Sequence, residues 1–135
     1  MIAALAVVAA VSYQNYRYKV EVAEAKSDIL AISTAIEVYE TEHHANFPNS
    51  LADVNMAGKL DPWNHPYQYL NLSPVPQGMN GKVRKDKNLV PINSDFDLYS
   101  MGKDGASKPP LTAAASRDDI VRANDGRFIG LVSDY

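Results

Sequence analysis

The chain has 135 residues, of which 46% are hydrophobic, so it has enough apolar side chains for one core but not for two separate domains. Its 13 basic and 16 acidic residues give a formal net charge of −3, which is too mild to indicate a nucleic-acid partner. The chain has no cysteine, which excludes disulfide bonds and thiolate metal sites but is compatible with a reducing or an oxidising compartment.

The first eleven residues, 1–11, are all apolar and uncharged. A helix that crosses a membrane needs about 20 such residues, so this run alone is too short to span one. It also lacks the preceding basic residues of a secretory signal peptide. Residues 12–20 keep a helix-compatible composition. We therefore expect the run to be the lower part of a longer hydrophobic helix that begins before Met1.

A continuous helix is predicted over residues 1–46, because neither glycine nor proline interrupts them. Apolar residues recur there at spacings of three and four: Ala25, Ile29, Ile32, Ile36 and Tyr39. This period indicates an amphipathic helix with one stripe on a core. A helix of some forty residues is about 60 Å long, more than a small domain needs. We expect residues 1–20 to protrude and residues 25–42 to pack on a globular domain formed by 47–135.

The composition changes after the helix, because all eight prolines and all seven glycines follow residue 46. Residues 50–54 predict a short helical turn with Ser50 as its cap. Residues 67–72 and 96–100 alternate large apolar with polar residues, as half-buried antiparallel strands do, and a third strand is expected near 128–131. The predicted fold is therefore α+β, a long helix on a small antiparallel sheet with an irregular C-terminal loop region.

Two segments after the helix have distinctive sequences. Residues 61–69 read Asp-Pro-Trp-Asn-His-Pro-Tyr-Gln-Tyr, and residues 96–105 read Phe-Asp-Leu-Tyr-Ser-Met-Gly-Lys-Asp-Gly. They resemble the Asp-Pro-Trp-Gly-Asn-Pro-Tyr-x-Tyr and Phe-Asp-Leu-Tyr-Ser-x-Gly-x-Asp-Gly segments of the major pseudopilins of type II secretion systems. These proteins belong to the type IV pilin-like superfamily. Weaker similarity at 2–6, 12–16 and 46–48 extends the resemblance over most of the chain.

The chain also departs from the family pattern. The leader peptide, its cleavage site, the N-methylated phenylalanine and the glutamate near the mature N-terminus are all absent from the sequence, and we expect them to lie upstream. Asn64 stands where the family has glycine. Asparagine tolerates a positive φ angle better than most residues, so the turn is expected to be preserved.

The resemblance implies a structural subunit of a periplasmic pseudopilus, located in the bacterial inner membrane before assembly and in a periplasmic filament afterwards. The implied partners are further copies of the chain, minor pseudopilins and the inner-membrane assembly platform. Exposed apolar residues on the protruding helix indicate assembly, because a soluble monomer tolerates such a surface poorly. The candidate assembly positions are Ile2, Leu5, Val8 and Val11. The chain is not expected to be an enzyme, since its sequence has no recognisable catalytic motif.

Two alternatives remain open from the sequence. The first is a major or minor pilin of a type IV pilus, which shares the helix but usually has a disulfide-closed C-terminal region. The second is a hydrolase or sugar-binding module tethered by a helix, which needs a catalytic pair or an aromatic platform. The absence of cysteine and the segment 96–105 favour the pseudopilin.

A calcium site is expected between residues 100 and 119. Calcium takes six to eight oxygen ligands, which an irregular loop can supply as carboxylates and backbone carbonyls. Spacing alone favours a solvated loop with a turn at Asp104, because no EF-hand pattern is present. The resemblance implies calcium instead, bound by the Met101 carbonyl and the carboxylates of Asp104, Asp118 and Asp119. Ser116 is a weaker candidate.

Three other features of the sequence are interpreted as parts of the fold and not as binding sites. The basic run at residues 82–87 has no interleaved aromatic residues and is interpreted as a solvated loop. His43 and His44 are interpreted as exposed residues at the helix end. Trp63 is expected to anchor its loop on the core.

Overall fold

One long helix and one antiparallel sheet make up the fold. The computed structural model describes the backbone of residues 2–135 and the side chains from Ala6 onward. Helix α1 comprises Ile2–Glu42 and packs on a sheet of four strands in the order β1-β2-β3-β4, each antiparallel to its neighbour. The strands are β1 Gln68–Asn71, β2 Phe96–Ser100, β3 Ile120–Ala123 and β4 Phe128–Leu131. The predicted α+β architecture is confirmed.

Helix α1 ends at Glu42, earlier than the predicted residue 46. His44 and Ala45 have φ angles of 58° and 66°, so two consecutive residues are left-handed and reverse the chain. The amide of Ala45 donates a hydrogen bond of 3.0 Å to the Glu40 carbonyl and closes the last turn. Because neither left-handed residue is a glycine, the composition does not reveal where the helix stops.

The core lies between one face of α1 and the sheet. Four of the five predicted stripe residues are fully buried: Ala25, Ile29, Ile32 and Ile36. They form a cluster with Phe96, Leu98 and Ile120 of the sheet. The fifth residue, Tyr39, is only half-buried and stacks on the His43 ring at 3.7 Å. Each buried isoleucine contributes about 1.5–3 kcal/mol, so this stripe fixes the helix on the sheet.

The first part of α1 has no partner within the described chain. Val8 and Val11, two of the candidate assembly residues, are 65% and 52% exposed. The side chains of Ile2 and Leu5 lie outside the described residues. Tyr18 is the first described helical side chain that is partly buried. No helix among the described residues combines the length and apolar character needed to cross a membrane.

The interpretation of the basic run 82–87 as a solvated loop is wrong at its centre, because Val83 and Arg84 are buried. The Arg84 guanidinium lies 3.5 Å from the centroid of the Tyr99 ring, and its backbone amide donates a 2.8 Å hydrogen bond to Asp97. Arg84 Nη1 also donates to the Lys108 carbonyl. A single arginine therefore connects this loop to β2 and to the segment that precedes β3.

Candidate metal centre

Three aspartates meet where β2 ends and β3 begins. Asp104 lies in the turn after β2, and Asp118 and Asp119 immediately precede β3. Ser100, the last residue of β2, pairs with Ile120, the first residue of β3. The segments that follow β2 and precede β3 are therefore neighbours at the same end of these two central strands. One potential ligand atom from each carboxylate lies within 4.8 Å of the other two. The fold thus brings together the three predicted carboxylate ligands.

The cluster fits a hard cation. Calcium–oxygen distances are about 2.3–2.6 Å, so ligand atoms on opposite sides of one ion lie up to about 5 Å apart. Asp119 is fully buried, and its Oδ1 has no hydrogen-bond partner among the described residues. Its Oδ2 accepts a hydrogen bond from the Ser107 hydroxyl. A buried carboxylate oxygen without a donor is costly, and coordination of a cation would satisfy it.

The electrostatics of the cluster also favour a cation. Burial raises the pKa of Asp119 to about 7; the Ser107 hydrogen bond and Arg84 oppose this rise, whereas the charges of Asp118 and Asp104 add to it. Burial likewise raises the pKa of Asp118, against the hydrogen bond of 3.0 Å that it accepts from the Asp104 amide. Calcium would supply positive charge that offsets the repulsion among the three carboxylates.

Two glycines allow the loop to approach its neighbours closely. Gly102 has a φ of 69°, and a Cβ there would lie 2.7 Å from Asp118 Oδ2 and still closer to the Asp118 carbonyl. Gly105 has a φ of 68°, and a Cβ there would lie 2.8 Å from the His65 ring. Met101 immediately precedes Gly102, and the role of its carbonyl as a ligand stays a prediction.

A buried aspartate outside the cluster holds the turn in place. Asp61 is 3% exposed, and its Oδ1 accepts hydrogen bonds from the amides of Trp63 and His65 at 3.0 and 2.9 Å. Its Oδ2 accepts a 2.6 Å bond from the Ser100 hydroxyl, whose oxygen accepts a 3.0 Å bond from the Gly102 amide. The two distinctive sequence segments therefore meet through one hydrogen-bond network, which sequence reasoning did not identify.

The remaining predicted residues have mostly structural roles. The Ser116 hydroxyl accepts from the Lys108 amide and donates to the Lys108 carbonyl, so it shapes the loop. Asn64 has a φ of 66°, which confirms the positive φ expected at this position. Trp63 is partly buried against the core, as expected, and its Nε1 donates a 2.8 Å hydrogen bond to Glu21.

The cluster borders the helix at the point where α1 leaves the domain. A groove runs between α1 and the acidic turn, and it is lined by Gln14, Asn15, Tyr18, Lys103, Asp104 and Asp118. Tyr18 packs near Trp63 with the ring centroids 6.1 Å apart. The acidic loop and the base of the protruding helix therefore line one groove.

Comparison with known proteins gives no relative: no family model matches the chain, and no curated protein or solved structure is detectably similar to it.

Proposed function

We propose that this chain is a structural subunit of a periplasmic pseudopilus of a type II secretion system. The observation that supports this most is the division of one 41-residue helix into two parts. Its upper part packs on the sheet through Ile29, Ile32 and Ile36. Its lower part exposes Val8 and Val11 along a segment that leaves the domain. A helix of this form joins a globular head to a bundle of helices from other copies.

The proposed mechanism is mechanical. A contact between different surfaces of successive copies does not close on itself and therefore generates a helical filament. Subunits leave the inner membrane at the assembly platform and extend a bundle of α1 helices with the globular domains outside. Minor pseudopilins share this assembly. The growing filament pushes secreted proteins towards the outer membrane, so the proposal needs no catalytic residue.

The aspartate cluster would hold calcium in this subunit through Asp104, Asp118 and Asp119, with the Met101 carbonyl as a further ligand. Bound calcium would fix the loop against Tyr18 and so fix the direction in which α1 leaves the domain. The same architecture suits a type IV pilin, major or minor. The absence of cysteine favours the pseudopilus, because many pilins close their C-terminal region with a disulfide.

Replacing Val8 with arginine is expected to abolish filaments or membrane retention while the globular domain keeps its melting temperature. Val8 is exposed, so the charge does not disturb the core, but it would be buried among neighbouring helices. The matched control is Val90→Arg, because Val90 is a 58% exposed valine on the globular domain. Filaments of normal length and yield from the Val8 variant would show that the lower helix is not the assembly element.

A further inference from the structure

Arg84 is a buried arginine that strand β2 holds in one orientation. It is 3% exposed, and it forms no ion pair within the described chain. Its amide donates to Asp97, its carbonyl accepts a 3.1 Å hydrogen bond from the Ile92 amide, and its guanidinium lies over the Tyr99 ring. A buried charge without an ion-pair partner is costly, which indicates that this arginine has a role besides stabilising the fold.

The Arg84 side chain holds the backbone of the loop that precedes β3. Its Nη1 donates to the Lys108 carbonyl. Beside this contact, the Lys85 amide donates to the Pro109 carbonyl at 3.1 Å, and the Lys85 carbonyl accepts a 2.8 Å hydrogen bond from the Leu111 amide. The loop that contains Arg84 and the loop that precedes β3 are therefore joined by consecutive hydrogen bonds.

The loop that precedes β3 also donates the hydrogen bond that orients Asp119. Ser107 immediately precedes Lys108, and its hydroxyl donates to Asp119 Oδ2. Asp119 Oδ1 has no partner among the described residues, so it is the oxygen that can face a cation. Ligating carboxylates are normally held by hydrogen bonds from neighbouring groups, and loss of such a partner typically weakens metal binding by about 10–100-fold. One chain of contacts therefore runs from Arg84 to Asp119.

We propose that Arg84 is a positioning residue for calcium, which fixes the loop at Lys108 so that the Ser107 hydroxyl orients a carboxylate of the cluster towards the ion. This inference rests on the calcium binding included in the proposed function. The positive charge of Arg84 reaches Asp119, where it opposes the rise in pKa, and the same charge would repel a calcium ion. A positioning role and a purely electrostatic role therefore predict opposite changes in calcium affinity when this charge is removed.

Calcium titration of the full-length chain by isothermal titration calorimetry tests this role, with the folding of every variant checked by circular dichroism. Arg84→Lys keeps the charge but loses the planar donor group that reaches Lys108, and Arg84→Met also removes the charge. Both variants are expected to bind calcium about 10–100-fold more weakly than the parent. Arg122→Lys is the matched control, because Arg122 is a buried arginine that contacts Asp95 and the Phe96 ring at the opposite end of β2. This control is expected to bind calcium like the parent.

Ser107→Ala tests the route from Arg84 to the cluster, because it removes the hydroxyl and leaves the arginine in place. The two changes interrupt the same chain of contacts, so their effects on calcium affinity are expected not to add. The double variant of Ser107→Ala with Arg84→Lys should bind calcium as weakly as Ser107→Ala alone. Losses of affinity that multiply would overturn the inference, as would parent-like affinity of Arg84→Lys or tighter binding by Arg84→Met.

Hydrogen exchange of the parent provides a readout that needs no variant. Calcium is expected to slow exchange of the Lys85 amide, which donates to the loop that Arg84 holds. The Ser94 amide, which donates to Asp125 at 2.7 Å, is the control and is expected to exchange at the same rate with and without calcium. Unchanged exchange of the Lys85 amide would overturn the inference. A parent that binds no calcium would overturn both the inference and the calcium site, whereas filament formation by that parent would leave the proposed pseudopilus subunit standing.

Discussion

Replacing Ile32 with aspartate is expected to unfold the globular domain. Ile32 is fully buried between α1 and the sheet, in the cluster that contains Phe96 and Ile120. An unpaired carboxylate there costs more than about 3 kcal/mol, in addition to the lost packing. Domains of this size are stable by only about 5–15 kcal/mol, so most of the free energy of unfolding is expected to be lost.

The measurement is a thermal or urea unfolding curve followed by circular dichroism. Leu30→Asp is the matched control, because Leu30 lies two positions away on the same helix and is 58% exposed. That variant is expected to stay within about 0.5 kcal/mol of the parent. Equal stability of the two aspartate variants would contradict the assigned packing of α1.

Removing calcium is expected to lower the melting temperature and to increase proteolysis between Gly102 and Arg122. A ligand that binds only the native state stabilises it by about 2.7 kcal/mol at 100 times its dissociation constant, which corresponds to roughly 10 °C for a domain of this size. The experiment is a thermal melt with calcium, magnesium or a chelator. Magnesium should help less, because it requires tighter octahedral geometry and loses water reluctantly.

Two variants test whether the effect of calcium on the melting temperature arises at the aspartate cluster or from the general negative charge of the protein. Asp104→Ala is expected to reproduce the chelated state and to lose its response to calcium. Glu37→Ala, which removes an exposed carboxylate outside the cluster, should respond like the parent. Identical melting curves of the parent in all three conditions would show that the cluster does not bind calcium and would leave Asp104 as a turn residue.

The calcium response is also expected to depend on pH. Burial raises the pKa of Asp119 to about 7, above its value of 3.8 in the unfolded chain. The calcium-free folded state therefore holds this proton more firmly, so its stability falls as the pH rises between these two values. Calcium needs the deprotonated carboxylate, so the calcium-induced rise in melting temperature should be larger near pH 8 than near pH 5. An equal rise at both values would argue against Asp119 as a ligand.

Elements with a clear hydrophobic period could be predicted from the sequence. The helix stripe and the strands at 96–100 and 128–131 are such cases, because burial of one face imposes the period directly. Strand β3 was missed because it contains Arg122, which is only 2% exposed. Arg122 pairs with Asp95 through two hydrogen bonds of 2.8 and 2.7 Å, and it lies over the Phe96 ring. Only the tertiary structure reveals these partners.

The candidate site also combines residues that could be predicted from the sequence with residues that only the tertiary structure reveals. The family resemblance predicted the three carboxylates of the cluster. The spacing of Asp104 and Asp118 along the chain does not by itself indicate that they are neighbours in space. The residues that position them were missed. No local sequence motif marks Ser107 or Arg84 as a residue of the site. Ser107 donates a hydrogen bond to Asp119, and Arg84 donates one to the Lys108 carbonyl, so both contacts depend on the fold. Asp61 lies within the distinctive segment 61–69, but its hydrogen bond with Ser100 depends on how this segment packs on the segment 96–105.

The most direct test of the proposed function is electron cryomicroscopy of assembled material from the cells that produce the chain. The proposed function predicts a helical filament in which residues 6–17 of parallel α1 helices form the centre and the globular domains lie outside. A monomer, a closed oligomer, or a filament in which residues 6–17 lie on the outer surface would contradict it.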